Sequence, residues 1–235
     1  MYEELKRRVF NANMLLARSG LVILTWGNVS EADREAGVFA IKPSGVSYDE
    51  MKAEDVVIVS LESGERIEGK MNPSSDTKTH LALYRAFPKA GGICHCHSTF
   101  ATAYAQASHP IPCLGTTHAD VFFGEVPVTR ALTKEEIDKD YEGETGMVIA
   151  EAFAELDPAA TPGVLVRQHG PFTWGKNGVE AVEHAQVLEQ TAKMAWIQNM
   201  LDPDAESFNL DLLHKHYERK HGANATYGQS SHKTR

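Results

Sequence analysis

An α/β domain is expected, on three grounds. Amphipathic helical stretches alternate with short apolar runs along the whole chain. The runs are β-branched and end at Gly, Pro, Ser or Asn, as strands do. No Pro/Ser-rich linker, internal repeat or low-complexity tract divides the 235 residues, so one domain is expected.

Residues 2–19 read as a helix, because Leu5, Val9, Ala12 and Leu16 recur at helical spacing and Gly20 supplies a stop. Strands are expected at 21–25, 38–42 and 56–61, the last two followed by the turns Pro43-Ser44-Gly45 and Ser63-Gly64. A helix over 76–87 would be capped by Ser74 or Ser75. Beyond Pro88, Gly91 and Gly92 comes a strand at 93–97, then helices at 98–107 and 142–155. A strand at 164–168 has 172–174 as its hairpin partner, and helices follow at 178–200 and 208–220. The polar end, residues 230–235, is expected to be a disordered tail.

The formal net charge is -9 and no Lys/Arg run stands out, which excludes a general nucleic-acid binder. Charges interrupt the N-terminus throughout, and no stretch approaches the roughly 18 apolar residues of a membrane span. The three cysteines, Cys94, Cys96 and Cys113, are odd in number and do not look like a disulfide framework. A reducing compartment, the cytoplasm, is therefore expected.

Four constellations could carry chemistry. On a strand, alternate side chains share a face, so His95 and His97 point one way and Cys94 and Cys96 the other. Two imidazoles so placed can grip one divalent ion, with His169 before Gly170-Pro171 as candidate third ligand; packing histidines are the alternative. Secondly, loops bearing Gly27 and Asn28, Ser44 and Gly45, and Ser74 and Ser75 could bring amides and hydroxyls to a phosphate, with Lys42 as a point charge; plain turn chemistry is the alternative. Thirdly, Thr116, Thr117, His118 and Asp120 could serve proton transfer, or form a polar loop. Fourthly, His214, His216, His221 and Tyr227 gather near the C-terminus, where a polar surface is the alternative. No P-loop or dinucleotide fingerprint is present.

In order along the chain, TWGNVS, KPSG, PSSD, HCHS, GTTHAD, QHGPFTWGK and KHYERKHGANATYGQ resemble the class II aldolase/epimerase family, over residues 1–229. The resemblance implies a three-layer α/β/α fold around a largely antiparallel sheet. It implies one divalent ion per subunit, zinc first and manganese or cobalt otherwise, at His95, His97 and His169, with Asp76 at or near it. It implies substrate and phosphate contacts from Gly27, Asn28, Ser44, Gly45, Ser74 and Ser75, with Lys42 beside them. Asp120 and Tyr227 match an acid/base pair, the tyrosine reaching a neighbouring subunit of a homotetramer. His216 matches an interface histidine and Thr116 a residue close to the reacting sugar.

The activity so implied is epimerisation of a pentulose phosphate at C4, converting L-ribulose 5-phosphate to D-xylulose 5-phosphate by retro-aldol cleavage. The family also holds L-fuculose-1-phosphate aldolases, a methylthioribulose-phosphate dehydratase and non-catalytic adducin-like modules. The aldolases carry a glutamate after the second serine of PSSD, where this chain has Asp76. The family pattern stops near Gln229, short of this chain's end.

Overall fold

In the computed structural model, which describes residues 1–204, 208–222 and 225, helix α1 spans Glu3–Arg18 and buries Leu5, Val9, Ala12 and Leu16 as their spacing requires. The strand expected at 21–25 is not there. Its apolar run is turned instead, with Leu24 at φ 55°, and Ile23 and Leu24 are exposed. A strand needs a partner edge, and the edge here is taken by β1, Asn28–Asp33. The Asn13 carboxamide of α1 fixes that register, donating to the Val29 carbonyl at 3.0 Å and accepting from the Val29 amide at 2.9 Å.

Strands β2 (Val38–Ile41), β3 (Val57–Ser60), β4 (Arg66–Glu68), β5 (Gly92–His95), β6 (Gly163–Leu165) and β7 (Pro171–Gly175) complete one sheet in the order β4-β3-β2-β1-β5-β7-β6. Every named neighbour pair is antiparallel. The sequence did not announce β4, a short edge strand with one apolar residue, Ile67. The expected strand at 164–168 is cut back to β6 because Gln168, at φ 62°, turns the chain.

Helices α2 (Thr77–Ala86) and α5 (Lys134–Ala152) cover one face. There Phe39, Ile41, Leu83, Tyr84, Ile149 and Trp174 form part of one core. Helices α1, α3 (Thr99–Ala107) and α6 (Gly178–Leu201) cover the other face. The α/β/α layering is as expected. Helix α2 begins one residue late, with Asp76 at its N-cap and no side-chain cap, although Ser74 Oγ accepts the Asp76 amide at 3.3 Å. Helix α5 starts well before residue 142, because Thr133 and Glu136 form a capping box there.

Residues 116–119 form the one-turn helix α4, where a polar loop was the alternative, and α7 spans Leu210–His221. No helix among the described residues is long and apolar enough to cross a membrane.

Candidate metal centre and substrate pocket

Strand β5 lies inside the sheet, and its last residue, His95, pairs with Asn28 at the start of β1 and with Phe172 on β7. His97 follows two residues on. His169 comes from the tight turn joining β6 to β7, closed by Val166 N to the Gly170 carbonyl at 2.9 Å and His169 N to the Val166 carbonyl at 3.0 Å. Two separate segments, the end of β5 and the β6–β7 turn, therefore meet at one end of the sheet.

The ligating atoms of His95, His97 and His169 lie within 4.8 Å of one another, and among the described residues this is the one such group. His95 Nδ1 donates to the Pro171 carbonyl at 2.9 Å, so Nε2 carries the free lone pair. The ring also stacks on Phe172, with centroids 4.1 Å apart. His95 Nε2 and His97 Nε2 are 3.1 Å apart. Two nitrogens each about 2.0–2.1 Å from a tetrahedral zinc stand about 3.3 Å apart, so the spacing fits a shared divalent ion. Burial, reinforced by the neighbouring imidazoles, pushes His169 down to about 3; burial and then His95 lower His97. Both stay neutral at pH 7, the form that ligates a metal.

Asp76 lines the same pocket but lies outside the 4.8 Å set. Burial alone would raise its carboxyl. The charges of His95 and His80 and the Asn28 hydrogen bond outweigh it, so the group is held below the usual carboxylate range. Asn28 Nδ2 donates to Asp76 Oδ2 at 2.6 Å and to Ser74 Oγ at 3.0 Å. Cys94 and Cys96 are buried on the other face with residues of α1 and α6, away from the imidazoles as expected.

The pocket has a volume of about 430 Å³. Ser44, Gly45, Ser74 and Ser75 line it from two loops clipped together by Ser44 N to the Asn72 carbonyl at 2.9 Å and Ser74 N to the Lys42 carbonyl at 3.0 Å. Lys42 also lines it, yet its ammonium donates to the Val46 carbonyl at 2.6 Å, so it braces the loop. Burial pushes that ammonium down to about 8. Tyr48, 4.9 Å below it, donates to the Gly27 carbonyl at 2.8 Å and ties the first loop to the second. Gly27 takes φ 96°, and a Cβ there would stand 2.8 Å from the His95 carbonyl oxygen.

Asp120, Thr116 and His216 line no part of this pocket. They gather at α4 and α7, where Asp120 accepts from His216 Nδ1 at 3.0 Å and Arg219 at 3.0 Å, with Lys220 at 3.3 Å. Partial burial opposes ionisation of Asp120, but these partners hold its carboxyl low. Tyr227 lies outside the described residues. Tyr141 and Glu142 also line the pocket; no motif marks them in the sequence, where they lie in an acidic stretch. A second cavity, of about 420 Å³, opens at the other end of β7 against Phe87, Pro158 and Trp174. Among the described residues, the group of three metal-ligating side chains lies in the first cavity and not in this one.

Known proteins fit this architecture. The chain is 55% identical, over 97% of its length and 99% of theirs, to proteins named L-ribulose-5-phosphate 4-epimerase UlaF from Salmonella paratyphi A and Salmonella typhi. Its structure matches an L-fuculose 1-phosphate aldolase with TM-score 0.80 at 25% identity, covering 92% of this chain and 95% of that one. It matches YgbL, a putative aldolase/epimerase/decarboxylase from Klebsiella pneumoniae, with TM-score 0.71 at 27% identity, covering 92% and 99%. Residues 7–196 match the family model described as Class II Aldolase and Adducin N-terminal domain. With that match, the near-full-length identity and the shared fold, the chain belongs to the class II aldolase and adducin N-terminal domain family.

Proposed function

We propose that the chain is a metal-dependent L-ribulose-5-phosphate 4-epimerase, interconverting L-ribulose 5-phosphate and D-xylulose 5-phosphate. The carrying observation is its 55% identity over 97% of the chain to proteins of that name. The pocket adds the parts this chemistry needs.

The hydrogen on C4 is β to the C2 carbonyl and is not acidic, so direct deprotonation is unavailable. Cleavage of C3–C4 is available. The C4 hydroxyl loses its proton, the C3–C4 pair moves to C3 as an enediolate conjugated with C2, and C4 becomes the aldehyde of glycolaldehyde phosphate. The aldehyde rotates, presents its other face and is attacked by C3; the C4 oxygen then regains a proton. A divalent cation, zinc first and manganese or cobalt otherwise, held by His95, His97 and His169 with Asp76 nearby, would supply Lewis-acid stabilisation of the enediolate charge.

Ser44, Gly45, Ser74 and Ser75 hold the phosphate, with Gly27 and Asn28 beside the sugar and Lys42 bracing the loop. Holding the phosphate keeps the rotating fragment from escaping. Asp120 and Tyr227 exchange the protons, with Thr116 and His216 next to Asp120. In one chain Asp120, Thr116 and His216 lie off the pocket, which supports sites completed by a neighbouring subunit; the assembly proposed is a homotetramer. The setting is cytoplasmic.

Purified zinc-loaded protein incubated with L-ribulose 5-phosphate should form D-xylulose 5-phosphate, and chelation should stop it until zinc returns. The 0.80 TM-score match favours an L-fuculose-1-phosphate aldolase as second reading. No turnover of L-ribulose 5-phosphate, with cleavage of L-fuculose 1-phosphate, would decide for that reading.

A further inference from the structure

Tyr141 has no part in the chemistry above. It stands at the wall of the three-imidazole pocket, with its hydroxyl 3.4 Å from His169 Nδ1. Helix α5 is broken to put it there. Asp140 leaves helical geometry at φ -166°, ψ 77°. Three contacts hold the break, and a glycine leaves room for it. Lys78 of α2 binds the Asp140 carboxylate at 2.7 Å. The Thr79 hydroxyl donates to the Glu142 carbonyl at 2.6 Å, and the Thr145 hydroxyl to the Tyr141 carbonyl at 2.7 Å. At Gly143 a Cβ would stand 2.5 Å from Asp140 Oδ2, so the absence of a side chain leaves room for the bent carboxylate.

His95 illustrates how an imidazole is held in this site, with Nδ1 tied to a carbonyl and Nε2 free. Among the described residues, the Tyr141 hydroxyl is the hydrogen-bond partner of the His169 ring. A phenol oxygen can accept as a carbonyl does. We infer that Tyr141 is a positioning residue: its oxygen accepts Nδ1–H of His169 and holds the ring in the tautomer that offers Nε2 to the metal. The inference rests on reading the three histidines as a metal site.

The test is Tyr141→Phe, which keeps the ring and removes the oxygen, beside His95→Asn as control. Affinity for Zn²⁺ is read by competition with a chromogenic chelator, and coordination by the d–d absorption of the Co²⁺-loaded protein. Loss of a partner that orients a ligand lowers metal affinity by about 10–100-fold. Tyr141→Phe should show such a fall together with a shifted cobalt spectrum, while the metal-free protein melts as wild type does. Wild-type zinc affinity in His95→Asn would remove the metal site itself and the inference with it. Lost affinity in His95→Asn, with wild-type affinity in Tyr141→Phe, would overturn the tyrosine's role alone. A fall in Tyr141→Phe affinity with an unchanged cobalt spectrum would mark a merely structural role and overturn it as well.

Discussion

Gly27→Ala should unfold the protein at a distinctly lower temperature and loosen the metal centre with it. Gly27 has φ 96°, and a Cβ would lie 2.8 Å from the His95 carbonyl oxygen, 2.9 Å from Val22 Cγ1 and 3.2 Å from Cys96 Cα. Placing an L-residue in that conformation costs about 1–2 kcal/mol. Two of the three contacts are to backbone, which cannot rotate away, and overpacking of this kind adds about 1–3 kcal/mol.

Gly45→Ala is the matched control: φ is 69°, but nothing lies within 4 Å of the added Cβ. Both changes restrict the unfolded chain alike, by about 0.4–1 kcal/mol, so that effect cancels between them. The difference between the variants is then the contact cost alone, about 1–3 kcal/mol. At roughly 2–4 °C per kcal/mol for a domain of this size, Gly27→Ala should melt about 2–12 °C below Gly45→Ala. Calorimetry on the metal-free proteins measures this, and zinc titration should show weaker binding in Gly27→Ala, since relief of the clash moves His95. Equal melting temperatures in the two variants would refute the close-approach reasoning.

Ser44→Ala and Ser75→Ala should each raise KM for L-ribulose 5-phosphate several-fold, with a fall in kcat if the phosphate anchors the rotating fragment; unchanged steady-state kinetics in both would count against the phosphate assignment. Tyr227→Phe and His97→Asn, each nearly inactive alone, should recover part of the activity when unfolded and refolded together, because a site can then take its imidazoles from one chain and its tyrosine from the next; no recovery in verified mixed oligomers would reject shared sites. His118 is buried, and burial pushes it down to about 4 despite its Nε2–H bond to the Gly124 carbonyl at 2.7 Å. Between about pH 6.5 and 4 the unfolded chain binds a proton that the native imidazole refuses, so stability falls as pH falls through that window, by about 3 kcal/mol in all. His118→Gln keeps a donor for Gly124 and should flatten the acid limb in urea melts between pH 7 and 4.5; parallel curves for variant and wild type would discard this account.

The helices with long apolar stripes and the strands buried on both faces are legible in the order of residues alone. Their periodicity is a local record of burial, as at Val9, Leu16, Ile58 and Ile93, all fully buried. The opposite facing of His95 and Cys94 is legible too, because strand alternation is local geometry, and Cys96 and His97 continue it just past the end of β5. Where an apolar run is used depends on packing, and packing decided several features here. Residues 21–25 have strand composition, yet the sheet edge beside β5 goes to Asn28–Asp33, held by Asn13 from α1. It decided that His169 closes on a pair of histidines far away in the chain, since the hairpin register of β6, β7 and β5 brings it there. It decided that Lys42 turns its ammonium to the Val46 carbonyl and that Asp120 sits among His216, Arg219 and Lys220, apart from the imidazoles. It also carries Tyr141 to the pocket wall beside His169. The break at Asp140 depends on Lys78 and Thr79 of another helix, and a contact between residues far apart in sequence leaves no periodic trace along the chain.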